Sequence, residues 1–229
     1  MKQFPDIYTK RAHHASWSVI QAATLLAEAK DRECGSLLRY AALELKLAME
    51  QLVFTLILVA KGEADEATLH DCQQQDGLFR VLGEVTPQYE RKCRFAEILS
   101  AFNPAVPQGA AWNVALIRRH YAALSELCHA QLVIRGMGPA PEQWDESTSL
   151  LEEIYDFLAE GLQKDTAVLS FKGATPQAME LWEKYSRGEI SLEVVKERFA
   201  LMKPPLAIPP ITATSGKKVR GANPKPAAQ

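Results

Sequence analysis

Residues 117–132, IRRHYAALSELCHAQL, hold the densest chemistry in the chain. Arginine offers a rigid fork of donors for phosphate, serine a hydroxyl nucleophile and histidine a proton acceptor near neutral pH. Successive side chains of a helix step round by 100°, so Arg118, Ala122, Ser125 and His129 share one face, while Arg119 and His120 turn away and are expected in solvent. Arg118 and His129 stand about 16 Å apart along the axis, too far to touch one atom within one chain. Ser125 and His129 are one turn apart and within hydrogen-bonding reach. With no adjacent acid to orient the imidazole and no oxyanion hole beside a helix-borne serine, a hydrolase triad is not expected.

Glu44 is the second candidate. On a helix it shares a face with Ala41, Ala48, Gln51 and Thr55, a poorly solvating surface wherever another helix meets it. Burying an unpaired carboxylate costs on the order of several kcal/mol, so Glu44 requires a donor or cation, or an opening to a polar cleft. An interhelical hydrogen bond that fixes register would satisfy the same demand. Arg39, Lys46 and Glu50 form a separate stripe on this helix and read as a solvated edge. His70, Asp71 and Cys72 put three ligand types in a row, but adjacent side chains diverge, and no metal site or cofactor is expected there. No glycine-rich phosphate loop of the GxxxxGK type occurs.

The elements that position these residues read as helices throughout. Residues 8–32 carry Ala12, Ala15, Val19, Ala22, Leu26 and Ala29 at steps of three and four, a seam small enough for close approach of a second helix. Gly35 and Ser36 supply a cap and a restart, and residues 37–61 form that second helix, the expected centre of the core. Residues 63–85 read as short helical pieces, with Thr86 and Pro87 opening a helix to Phe102. A loop over residues 103–110 precedes a helix over 111–133, and another helix over 146–160 stops at Gly161. Residues 166–172 alternate weakly but have no strand partner and read as a connector. Thr175 with Pro176 and then Ser191 cap two short helices, reaching Tyr185 and Met202, that need another surface to dock on.

The fold class is therefore all-α: a helical bundle on a long N-terminal αα-hairpin over residues 1–164, a connector and short helical hairpin over 165–202, and a Pro-rich basic tail over 203–229, expected to be largely disordered. The alanine-rich first helix, the tight turn and the second helix RYAALELKLAMEQLV, with its in-line acid Glu44, resemble the opening of HEPN domains. These compact helical domains occur in prokaryotic toxins, antiphage effectors and RNA-processing enzymes. The resemblance implies metal-independent RNA cleavage by an arginine and histidine of a later helix, which places Arg118, Arg119 and His129 at the motif position and Glu44 beside it. The family's arginine precedes its histidine by four to six residues. Arg119 precedes His129 by ten, so a shared site requires the two to meet across a symmetric dimer. The alternative is a non-catalytic helical adaptor or assembly subunit.

Composition narrows the partners. The 229 residues are 47% hydrophobic and 24% charged with net charge −2, which excludes collagen-like and wholly disordered chains. No apolar run approaches the roughly 20 residues of a membrane-spanning helix, and the N-terminus lacks a signal-like apolar stretch, so a cytoplasmic protein without membrane contact is expected. Cys34, Cys72, Cys93 and Cys128 have no paired spacing and read as small core hydrophobes. Trp17, Trp112, Trp144 and Trp182 read as core and hairpin anchors. Of the 26 basic residues, Lys203, Lys217, Lys218, Arg220 and Lys225 lie in the tail with none of the 28 acids, leaving an acidic body. The partners expected are a second copy or a larger protein complex, and RNA.

Overall fold

The computed structural model describes residues 14–62, 65–102, 111–128, 141–164, 171 and 174–202. Within them every regular element is a helix, and there is no strand. Helix α1 (Ala15–Arg32) and helix α2 (Gly35–Lys61) form the expected antiparallel hairpin. Its seam buries Ala15, Val19, Ala22, Leu26 and Ala29 against a face of α2 where Ala41 and Ala48 are also fully buried. The turn differs from expectation. Glu33 takes the left-handed C-cap at φ 47°, Cys34 precedes α2 without a side-chain cap, and Gly35 is already helical. Glu33 can adopt this strained region because the Cys34 amide closes on Ala29 O at 3.0 Å.

Helix α2 is the central rod. Leu38, Leu45, Met49, Leu52 and Leu56 are buried beneath α1 and beneath helices α4 (Gly77–Phe102), α5 (Val114–Leu127) and α6 (Pro141–Gln163). The short helix α3 (Glu66–Gln73), capped by Asp65 at 2.6 Å from Thr68 N, leads into α4. Here the sequence reading needs correction, because Pro87 does not open a helix: α4 runs through it. The missing proline N–H leaves the Gly83 carbonyl without its usual donor, and the Thr86 hydroxyl bonds Leu82 O at 2.6 Å alongside. Nor does Gly161 stop α6. That helix starts at Pro141 and continues to Gln163, and the missing Cβ makes room for the Trp112 indole.

The C-terminal pair, α7 (Pro176–Ser186) and α8 (Leu192–Leu201), is capped by Thr175 and Ser191 as the sequence indicates. It docks on the second half of α4. Phe95 is fully buried there, with ring centroids 5.3 Å from Trp182 and 5.8 Å from Phe199. One long helix thus serves two apolar clusters: Val81, Leu82, Tyr89 and Cys93 face the main bundle, while Phe95, Ile98 and Leu99 face the terminal pair. Lys92 lies at the junction, donating to Val59 O at 2.8 Å and standing 5.6 Å above the Phe171 ring, and burial lowers its pKa. The connector apart from Phe171 and Ala174, and the tail from Lys203, lie outside the described residues.

Candidate functional site

Helix α5 is capped at its start by Asn113, whose side chain accepts from Leu116 N at 3.0 Å, and at its end by Cys128. Four consecutive residues address different neighbours, as 100° steps require. The Arg118 guanidinium crosses to α4 and donates to Phe79 O at 2.8 Å, passing where a Cβ on Gly83 would stand 2.7 Å from Nη2. Arg119 pairs with Glu153 of α6 at 2.9 Å in an exposed contact of the kind that contributes about 0–1 kcal/mol.

His120 was expected in solvent; it is instead 2% exposed, its ring 5.1 Å from that of Phe157. Its Nε2 has no hydrogen bond among the described residues and lies 3.9 Å from Glu153 Oε1. Burial holds the imidazole below its ordinary pKa, against the pull of Glu153 and with the push of Arg119. The neutral form is favoured in this wall.

Tyr121 makes the closest polar contact between α5 and α2. Its hydroxyl donates to Glu50 Oε1 at 2.9 Å, its ring lies 4.2 Å from that of Phe79, and Lys46 Nζ stands 5.2 Å from its centroid. Burial first, and then the Glu50 carboxylate, push the phenol up to about 12, with the Ser125 hydroxyl acting in the opposite sense. Lys46 and Glu50 are therefore an interhelical polar contact rather than a solvated edge. Their position beside buried Met49 and Val53 is the sequence signal for such a boundary.

Of the sequence candidates, Arg118 and Arg119 share α5 but are tied to opposite neighbours, α4 and α6. Glu44 is half-buried, lies about 120° around α2 from Glu50, and forms no hydrogen bond or ion pair among the described residues. It is not brought to α5. His129 lies outside the described residues. Beside Arg118 a cleft of about 710 Å³ opens between α4 and the start of α5, lined among others by Gly83, Glu90, Arg94, Glu97 and Trp112. His70, Asp71 and Cys72 do diverge: His70 meets Gln74, Asp71 faces Arg80 at 3.9 Å, and Cys72 packs against the main core.

The outer face of the hairpin departs furthest from expectation. Trp17, Ile20, Tyr40, Leu43 and Leu47 are 56%, 58%, 59%, 44% and 40% exposed. They occupy the sides of α1 and α2 opposite the seams that face the core, so Trp17 is no core anchor and α2, the expected centre of the core, is left uncovered along one side. Among the described residues no helix is long and apolar enough to cross a membrane. No protein-family model, curated protein or solved structure matches this chain.

Proposed function

We propose that this chain is a helical assembly subunit of HEPN-like build that pairs with a second copy of itself through the outer face of the α1–α2 hairpin. The observation that carries this reading is the concentration of exposed apolar side chains there: apart from Leu201, all the large exposed hydrophobics among the described residues lie on this hairpin. Five such side chains, about half exposed, offer roughly 500 Å² of surface per copy. That is a substantial share of the ~800 Å² per partner of a standard interface. The α2 stripe suits two-fold pairing. Antiparallel contact about a point between Leu43 and Glu44 sets Tyr40 of one copy against Leu47 of the other, the self-complementary pattern of an isologous interface. Light scattering should give twice the chain mass for the wild type and the chain mass for Leu43→Asp/Leu47→Asp at unchanged helicity. A monomeric wild type at tens of micromolar would overturn the reading.

A second reading, RNA-directed activity of HEPN type, is favoured by the cleft at the α5 N-terminus, where Arg118 and Arg94 stand near the start of the helix, with Glu90 and Glu97 in the same lining. In this reading an arginine holds the scissile phosphate and His129 moves the proton. Cleavage of cellular RNA that vanishes in His129→Ala would support it. Equal inertness of wild type and mutant would remove it.

A further inference from the structure

The apolar hairpin face lies on the same chain as a segment of complementary chemistry. Residues 203–211, KPPLAIPPI, follow directly on α8 and combine Leu206, Ile208 and Ile211 with four prolines. Proline-rich segments give up little conformational entropy on docking, and exposed aromatic rings are their usual receptors. Trp17 and Tyr40 are such rings, each more than half exposed, with aliphatic Ile20, Leu43 and Leu47 on the same faces.

Charge matches as well. Lys217, Lys218 and Arg220 follow the apolar stretch. Around the hairpin face Glu28, Asp31, Glu33 and Glu44 form no ion pair among the described residues. By contrast Lys30 is engaged by Glu152 of α6 at 2.7 Å, and Lys46 is turned toward Tyr121. Arg32 and Arg39 stand on the same hairpin, and the four acids outnumber them. Reach is sufficient: from Met202 the 15 residues to Lys217 span up to about 50 Å when extended. A compact body of this size is roughly 45 Å across.

We propose that residues 203–220 fold back on the outer face of the α1–α2 hairpin of their own chain. Leu206, Ile208 and Ile211 pack across Trp17, Tyr40 and Leu43, and the basic cluster lies against Glu28, Asp31 and Glu44. The segment then acts as a removable cover that competes with a second copy for the same surface. The competition, though not the docking itself, rests on the assembly reading above.

The test uses the full chain, as wild type and as Leu206→Asp/Ile208→Asp. A zero-length carbodiimide should join Lys217 or Lys218 to Glu28, Asp31 or Glu44, and mixed isotope-labelled and unlabelled protein at low concentration should show those links within single chains. In the double variant the links should fall several-fold, oxidative labelling of Trp17 and Tyr40 should rise several-fold at dilutions where both proteins are monomeric, and self-association should strengthen at higher concentration. Links only between chains, links that appear only with added RNA, or equal labelling of Trp17 in both proteins would overturn the proposal. Strong intrachain links in a protein that stays monomeric even as the double variant would keep the cover and reject the assembly reading. Dimers without intrachain links would do the reverse.

Discussion

Replacing Gly161 with alanine sets two effects of opposite sign against each other. Within a helix the change alone stabilises by about 1 kcal/mol, since glycine is the poorer helix former. Here the new Cβ would fall inside contact distance of Cη2, Cζ3 and Cζ2 of the Trp112 indole, with Cζ2 at 2.5 Å. The indole has little room to retreat. It is 6% exposed, its ring centroid is 5.3 Å from that of Phe157, and its backbone amide is held by Tyr89 Oη at 2.9 Å. Overpacking of this kind costs about 1–3 kcal/mol, and this site belongs at or above the upper end. The expected net loss is about 2 kcal/mol or more, a fall in Tm of at least roughly 4–8 °C for a chain of this length. Thermal and urea unfolding followed by far-UV circular dichroism measures it. In a Trp112→Leu background the clash is gone and Gly161→Ala should turn stabilising. A single Gly161→Ala variant that melts above wild type would refute the packing described for α6.

Tyr121→Phe removes the hydroxyl between α5 and Glu50 without changing the ring on Phe79, and should cost about 1–2 kcal/mol in urea unfolding; no measurable loss would mean Glu50 prefers water. The same contact should appear in alkaline absorbance titration as a phenol ionising near 12, lost in that variant. His120 bears on acid stability. Burial lowers its folded pKa below the ordinary 6.5, so the unfolded chain binds the proton first. Its contribution is present above about pH 6.5 and is lost as pH falls toward the folded value. Wild type should therefore lose stability between pH 7 and 5 more steeply than His120→Phe, and parallel curves would contradict this.

The helical class and the hairpin were legible because alanines at steps of three and four leave few alternatives to close helix contact. The terminal pair was legible because Thr175 with Pro176 and Ser191 are strong local start signals. Pro87 and Gly161 misled for a shared reason: both are local punctuation that tertiary packing overrides. α4 is held on both sides of Pro87 by Leu82 and Tyr89 in the main core, and Gly161 is occupied by an indole from another segment. The site was less legible. Helical spacing placed Arg118 and Arg119 on separate faces, but it could not show which neighbours those faces meet. The burial of His120 depends on Phe157 of α6, and the role of Glu50 depends on Tyr121, both distant in sequence. The exposure of Leu43 and Leu47 was not legible, because apolarity around most of a helix reads as burial. Which side stays uncovered depends on how many helices surround it.

The assembly reading is tested most directly by single-cysteine cross-linking at the centre of the outer hairpin face, in a chain whose Cys34, Cys72, Cys93 and Cys128 are replaced by alanine. Under mild oxidation, Leu43→Cys should form a disulfide between two copies near the two-fold axis and give a band of twice the chain mass. A cysteine at the exposed Glu97 of α4 should not. Absence of the Leu43→Cys dimer at concentrations where the wild type is studied, or equal cross-linking from both positions, would contradict it.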